Sequence, residues 1–135
     1  ADVWSCPSFN ELKRDGDDCV RWNLMHPDQK PKIPHVTACL EKHAGPVVAA
    51  TDYVKLFADQ IRAYVGRNFH VLGTDGFGRS DTRASLRRHF EVNRYYVTVA
   101  ALKTLADEGT IPAKTVKSAI RKYKLDPEKP NPLNV

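Results

Sequence analysis

The sequence predicts an α/β fold with a mostly parallel sheet and helices on both of its faces. Residues 47–51 and 69–72 are short apolar runs, which are typical of strands buried on both sides. Segments with helical periodicity follow both runs, and strands that alternate with helices favour parallel pairing. A third strand is predicted at residues 2–5. Three strands are few for this fold class, so we expect a truncated domain.

The segment before the two apolar runs is predicted to contain two helices. Ser8 is a candidate N-cap for the first helix because Glu11 follows it at the spacing of a capping box. Gly16 interrupts the apolar pattern of this helix, so we expect a weak point there. Prolines over residues 26–34 predict an irregular connection to a short helix over residues 35–43.

The segment after the first apolar run is predicted to be mostly helical. Apolar residues recur every 3.6 positions over residues 54–65 and predict one helix there. A glycine-rich loop over residues 73–81 follows the second run. Three more helices are predicted: one around Leu86 and Phe90, a buried apolar helix from about Tyr95 to Glu108, and a last helix from Pro112 to Tyr123.

The chain has the length of one ordinary domain, and we predict a single domain over residues 1–135, truncated at its N-terminal side. Residues 124–135 contain three prolines and no periodicity, so an irregular tail is expected there.

Composition excludes several classes of protein. Apolar residues make up 41% and charged residues 27% of the chain, as in a globular protein rather than a disordered one. No apolar run approaches the ~20 residues of a membrane-spanning helix. The three cysteines include no pair at CxxC spacing, so we expect a reducing compartment, the cytoplasm, rather than a disulfide scaffold. The net charge of +5 fits a nucleic-acid binder and an ordinary cytosolic protein equally well.

The glycine-rich loop is the most informative segment because open α/β sheets bind ligands where a strand ends and a helix begins. Its G-x-x-G-x-G spacing is neither the dinucleotide fingerprint nor the P-loop. One interpretation is a structured turn with Asp81 or Ser80 as the N-cap of the next helix. The other is a loop that contacts a ligand or a partner, and its candidate residues are Asp75, Phe77, Arg79, Ser80 and Asp81.

Other chemical patterns in the sequence are weaker. His35, Cys39 and His43 would share one helix face, but three ligands in a line cannot all reach one ion, so no metal site is assigned. No nucleophile elbow, HExxH motif or paired-carboxylate signature is present, and no catalytic residue is assigned. Two basic clusters are interpreted as solvated helix faces or interfaces: Arg79, Arg83, Arg87, Arg88, His89 and Arg94, and Lys114, Lys117, Arg121, Lys122 and Lys124.

Several stretches together resemble one family of enzymes. They are ADVWS followed by SFNEL and RDG within residues 1–16, RWN at 21–23, ATDYVKLFADQIRAYV at 50–65, VLGTDGFGRSD at 71–81, LRRHFEV at 86–92, YYVTVAALKTLADEG at 95–109, and NPLN near the end. With these stretches the chain resembles the third, transketolase-type domain of the homodimeric bacterial pyruvate dehydrogenases. The VLGTDGFGRSD stretch is the most specific part of the resemblance, and residues 28–45 and 113–130 are its variable parts.

The resemblance implies a parent enzyme that decarboxylates pyruvate and transfers the acetyl unit to a lipoyl group. Thiamine diphosphate and magnesium would be bound by other domains of that parent, which also supply its catalytic residues. The implied partners are those domains, the homodimer mate and the lipoyl-bearing acetyltransferase core, with no nucleic acid and no membrane. The resemblance also implies that residues 1–135 are the C-terminal domain of that parent and lack the first strand and helix of the domain. This segment would support the dimer and would not be catalytic alone.

A hypothesis about the loop follows from this role. The loop would face the neighbouring domain or the other subunit, with Arg79 and Asp75 pairing across that contact. Two alternatives remain open from the residues alone. One is a stand-alone module that binds nucleic acid through the cluster between Arg83 and Arg94. The other is a small domain that binds an anionic ligand at the loop.

Overall fold

Two parallel strands form the sheet of this chain. The structure, a computed structural model, describes residues 1–135. Its elements in chain order are α1 (Phe9–Met25), α2 (His35–Leu40), β1 (Val47–Ala50), α3 (Lys55–Asp59), α4 (Arg62–Val65), β2 (Phe69–Leu72), α5 (Arg83–His89), α6 (Arg94–Asp107), α7 (Ala113–Lys122) and a 3-10 turn at Pro132–Asn134.

The register of the sheet follows from the two apolar runs. Val47 lies opposite Phe69, and Ala50 lies opposite Leu72. The pairing continues beyond β1, where the Thr51 N–H donates to the Leu72 carbonyl at 3.0 Å. The α/β class is therefore confirmed, and both strands lie where the apolar runs predict them.

The predicted strand at residues 2–5 is wrong. These residues are exposed and pair with no other strand. Their position is set by side chains instead, since the Asp2 carboxylate accepts a hydrogen bond from His43 Nδ1 at 2.7 Å and the Trp4 ring meets the His43 ring edge-on at 5.1 Å. A short run without a neighbouring strand has no partner for its backbone, so strand propensity alone does not make it a strand.

The chain forms two compact units. The first unit contains residues 1–44 and 56–66, and the second contains residues 45–55 and 67–135. None of the helices combines the length and apolar composition needed to cross a membrane.

Helix α1 of the first unit is continuous through Gly16, where a weak point was expected. The Ser8 hydroxyl caps it by accepting from the Glu11 N–H at 3.2 Å, as predicted. Gly16 is buried, and a Cβ atom there would lie 2.3 Å from Cε2 of the Tyr64 ring. The glycine therefore serves as a site of close packing rather than as a break.

Tyr64 connects three segments of the first unit. Its hydroxyl donates to the Asp17 carboxylate on α1, and its carbonyl accepts from the Thr37 hydroxyl on α2 at 2.6 Å. The hydrogen bond to Asp17, together with burial, raises the pKa of Tyr64 to about 12. Lys13 and then Tyr64 hold the pKa of Asp17 below its ordinary value.

The single helix predicted over residues 54–65 is wrong, because the structure divides it into α3 and α4. The Gln60 side-chain amide donates to the Phe57 carbonyl at 2.7 Å, which is the acceptor that the Ile61 N–H would use in a continuous α-helix. The Ile61 N–H turns to the Ala58 carbonyl at 3.5 Å instead. A side chain that competes for a backbone acceptor thus ends the first helix. The helix predicted over residues 35–43 is also shorter than expected and ends at Leu40.

Helix α6 covers the sheet of the second unit. Leu72, Val92 and Ala100 form a buried cluster, and half-buried apolar side chains pack against it from Val48, Phe90, Tyr96 and Val97. The remaining apolar side chains of α6 are half-buried, which corrects the expectation of a fully buried helix. Two strands are too narrow to cover every face of an apolar helix.

We expect Gly16→Ala to destabilise the protein. Overpacking costs about 1–3 kcal/mol, and a Cβ atom 2.3 Å from the Tyr64 ring places the cost at the upper end of that range. Because alanine gains about 1 kcal/mol over glycine within a helix, the net loss should be about 2 kcal/mol. Urea denaturation measures it. Gly78→Ala is the matched control because a Cβ atom there meets nothing within 4 Å, and its unfolding midpoint should equal that of the wild type. An equal or higher midpoint for Gly16→Ala would contradict the close packing.

The Tyr64–Asp17 hydrogen bond predicts an alkaline loss of stability. Because the folded state raises the pKa of Tyr64 from 10.0 to about 12, the contribution of this bond is complete below pH 10 and is lost as the pH rises through 12. Denaturation across this window should show a steeper loss in the wild type than in Tyr64→Phe. Tyr53→Phe, which removes an exposed tyrosine, should keep the wild-type slope. Equal slopes for Tyr64→Phe and the wild type would refute the linkage.

Candidate functional site

The loop over residues 73–81 begins where β2 ends and is fixed to a neighbouring segment at its base. A Cβ atom at Gly73 would lie 2.7 Å from both the Lys55 nitrogen and the Tyr53 carbonyl oxygen, which leaves room only for glycine. The Thr74 N–H donates to that same Tyr53 carbonyl at 2.9 Å, and the Thr74 hydroxyl donates to the Asp52 carbonyl at 2.8 Å. The base of the loop is therefore rigidly positioned by backbone contact.

Asp75 adds a carboxylate to this fixed base. Its Oδ1 atom accepts from the N–H of Lys55, the first residue of α3, at 2.7 Å. Its Oδ2 atom lies 3.9 Å from the Lys55 ammonium. Asp75 thus acts as a helix cap supplied from a distant part of the sequence, and its carboxylate has a partner within the second unit.

The C-terminal segment supports the middle of the loop. Gly76 has a φ of 100°, a conformation that favours glycine, and a Cβ atom there would lie 2.8 Å from the Pro132 carbonyl oxygen. Asn131 holds the supporting turn, since its Oδ1 atom accepts from the Leu133 N–H at 3.0 Å. Two glycines and one carboxylate therefore fix residues 73–76.

The second half of the loop is exposed. Phe77 has 86% of its surface exposed, and Gly78, Arg79, Ser80 and Asp81 are exposed as well. The loop thus presents an aromatic side chain to the solvent. Residues 73–76 therefore form a rigid stem, and residues 77–81 form an exposed tip.

The helix after the loop begins one residue later than the sequence predicts. Thr82 is the N-cap of α5, and its hydroxyl accepts from the Ser85 N–H at 3.3 Å. Asp81 supports this cap from outside, because its Oδ1 atom accepts from the Thr82 N–H at 2.6 Å. The assignment of Asp81 or Ser80 as the N-cap is therefore wrong, and Ser80 makes no capping bond.

Two exposed apolar residues that lie beside the loop were not predicted from the sequence. Tyr53 is 65% exposed and adjoins Gly73 through its backbone, and Leu133 is 56% exposed and adjoins Gly76. The two residues come from segments far apart in the chain, so no spacing could have associated them with Phe77. The Asn-Pro pair at 131–132, a typical turn signal, was the available hint for Leu133.

Two members of the basic cluster next to the loop, His89 and Arg94, interact closely with neighbouring groups. His89 has a lowered pKa, because burial and then the nearby charges of Arg79 and Lys129 disfavour its protonation. The Lys129 ammonium is held by the His89 carbonyl at 2.6 Å and the Glu91 carboxylate at 3.0 Å. Arg94 stacks over the Tyr95 ring at 4.9 Å and donates to its hydroxyl. These contacts involve two members of the cluster, whereas Arg79, Arg83 and Arg88 are exposed.

The residues of this chain do not fit a metal or a diphosphate. No group of three or more His, Cys, Asp and Glu side chains is arranged to hold a metal ion. His35 Nε2 lies 3.3 Å from Cys39 Sγ, whereas His43 pairs with Asp2, so the three candidate ligands are separated. The loop leaves no cradle beside Gly73 and Gly76, because backbone atoms occupy that space.

We expect Asp75→Ala to lower stability by about 1 kcal/mol, as loss of a helix cap does. Asp75→Asn should stay close to the wild type, because asparagine caps as well as aspartate and the pairing with Lys55 is partly exposed. Chemical denaturation separates the two effects. A loss in Asp75→Asn equal to that in Asp75→Ala would mean that the charge, and not the cap, is what the fold requires.

Comparison with known proteins associates the whole chain with one kind of enzyme. The chain is similar to the pyruvate dehydrogenase E1 component of Cupriavidus necator, with 59% identity over 135 residues, which is 100% of this chain and 15% of that protein. The corresponding protein of Pseudomonas aeruginosa is 59% identical over 99% of this chain, and that of Escherichia coli K12 is 53% identical over 98%, again with 15% of each relative covered. The chain thus spans about 15% of the length of the curated relatives that it matches.

A family model gives the structural class of this segment. The model for the transketolase-like TK C-terminal domain matches residues 1–93, which include both strands, the loop and α5. The resemblance noted in the sequence is therefore confirmed. This chain belongs to the family of transketolase-like C-terminal domains.

Proposed function

We propose that this chain works as the C-terminal segment of a pyruvate dehydrogenase. The parent enzyme decarboxylates pyruvate with thiamine diphosphate and reductively acetylates a lipoyl group. Identities of 53–59% over nearly the whole chain to pyruvate dehydrogenase E1 components support this assignment. The three free cysteines fit a reducing compartment, which we infer to be the bacterial cytoplasm.

Within that enzyme the segment has a structural role and does not perform the chemistry. The observation that carries this role is the exposed Phe77 on a loop whose base is fixed by Gly73, Asp75 and Gly76. A rigid stem that presents an aromatic side chain is suited to insertion into a preformed pocket, because little conformational entropy is lost on binding. We infer that the loop contacts the neighbouring domain or the other subunit of a homodimer.

Arg79 is the second residue of this proposed contact. It is exposed, and its guanidinium can pair with a carboxylate on the facing surface. The hypothesis from the sequence placed Asp75 beside Arg79 in this contact. Because the Asp75 carboxylate already pairs with Lys55, we now assign the contact to Phe77 and Arg79, with Asp75 holding the loop in position.

The two-stranded sheet is narrow enough to favour a larger sheet in the whole enzyme. A two-stranded sheet is marginal by itself in water, no side chain of β1 is fully buried, and the apolar side chains of α6 other than Ala100 are only half-buried. We propose that these surfaces belong to a larger, mostly parallel sheet with helices on both faces. Thiamine diphosphate and magnesium would then be held by parts of the enzyme outside this chain, since these residues do not fit them.

Substitutions at the loop tip test the proposed contact. In the full-length enzyme, Phe77→Ala and Arg79→Ala should each raise the dimer dissociation constant by about tenfold or more, as loss of a buried aromatic or arginine anchor does. Analytical ultracentrifugation measures the dissociation, and pyruvate turnover is followed in the same preparations. Lys42→Ala, an exposed cation after α2, is the control and should match the wild type in both.

The pattern of effects identifies the surface that the loop meets. Weaker dimerisation places the contact at the other subunit. An unchanged dimer with lower turnover and a lower unfolding temperature places it at the neighbouring domain. Wild-type dissociation, turnover and unfolding temperature in both variants would overturn the role assigned to the loop.

A further inference from the structure

Helix α7 carries a row of positive charge that no carboxylate of this chain neutralises. Its buried stripe contains Val116 and Ala119. Lys114, Lys117 and Arg121 are exposed and follow one another at helical spacings of three and four residues, so they lie together on the outer face. The row extends over about 10 Å of helix. We call these three residues the α7 stripe.

The α7 stripe differs from the cations of α1, α4 and α6 in its lack of acidic neighbours, although the three arginines of α5 likewise form no ion pair. On α1, Lys13 pairs with Asp17 and Arg14 pairs with Glu11. On α4 and α6, Arg62 and Lys103 have carboxylate partners three and four residues away: Asp59 and Asp107. By contrast, residues 113–125 contain no acidic residue, and none of the five cations in that range forms an ion pair.

The order of charges along α7 works against the stability of the helix. Cations are favourable in the last turn, where Arg121 and Lys122 lie, because the C-terminal end of a helix carries partial negative charge. Lys114 is in the first turn, where a carboxylate would be favourable and a cation is not, and no acidic residue is present there. Local helix stability therefore does not account for the whole stripe.

We propose that the α7 stripe is a docking surface for an acidic protein surface. Carboxylates spaced by about one helical turn would complement its three cations. A protein partner is favoured over a single-stranded nucleic acid because α7 presents no exposed aromatic side chain on which bases could stack. This inference goes beyond the proposed function because it concerns a surface separate from the loop and from the chemistry of the enzyme.

Charge removal in the full-length enzyme tests the proposal. The stripe variant is Lys114→Gln/Lys117→Gln/Arg121→Gln, in which glutamine keeps the helix propensity. The control variant, Arg21→Gln/Lys30→Gln/Lys42→Gln, removes the same charge from exposed positions in other segments that also form no ion pair. The probe is a short fluorescein-labelled poly-L-glutamate, and fluorescence anisotropy at low salt measures its binding.

The stripe variant should bind poly-L-glutamate about tenfold more weakly than the wild type, as expected from the loss of three exposed charge pairs. The control variant should bind within about twofold of the wild type, since its charge loss is not localised at the stripe. Equal weakening of both variants would show that net charge alone is responsible and would overturn the proposal. Short duplex DNA that binds as tightly as poly-L-glutamate, with the same dependence on the stripe, would also overturn it in favour of a nucleic acid.

A stability measurement tests the premise about the position of Lys114. Lys114→Glu should raise the unfolding temperature because it places a favourable charge at the start of the helix, and it should weaken poly-L-glutamate binding. A lower unfolding temperature would mean that the lysine serves the fold, which contradicts the proposal. Pyruvate turnover measured in the same preparations tests the pyruvate dehydrogenase assignment separately from the α7 stripe. If the wild-type enzyme did not turn over pyruvate, that assignment would be refuted, whereas the binding of poly-L-glutamate to the stripe would be unaffected.

Discussion

Helices of five or six residues are too short to persist on their own hydrogen bonds, and in this chain two such helices begin on a carboxylate supplied from elsewhere. The first N–H of α2, at His35, donates to Asp15 of α1 at 2.6 Å. The first N–H of α3, at Lys55, donates to Asp75 of the loop at 2.7 Å. The same bond that completes α3 also positions the base of the loop, so the exposed tip at Phe77 depends on a helix cap.

The parts of the fold that could be predicted are those determined by nearby residues. Strands β1 and β2 follow from unbroken apolar runs, and the N-cap at Ser8 follows from its own side chain. Two of the errors depend on a missing neighbouring strand or on competition between two donors for one acceptor. Residues 2–5 have no neighbouring strand, and the end of α3 depends on the Gln60 amide taking a backbone acceptor. None of these causes produces a periodic signal.

The candidate site shows the same division. Its position after β2 and its glycine content could be predicted because both are local. The partner of Asp75 could not, since Lys55 lies 20 positions away and its backbone N–H, not its side chain, is the main donor. Tyr53 and Leu133 likewise join the site through backbone contacts at Gly73 and Gly76. Local sequence therefore locates a loop, and tertiary contacts decide which of its residues remain free to bind.

The contact between Gly16 and the Tyr64 ring also limits how this segment can change over evolutionary time. A residue larger than glycine at position 16 becomes acceptable only after the ring at position 64 has been replaced by a smaller side chain. Loss of the ring in turn removes the hydroxyl that Asp17 accepts. The order of substitutions is thus constrained: position 64 changes first, position 16 can follow, and the selective pressure that retains an acid at position 17 is relaxed along the way.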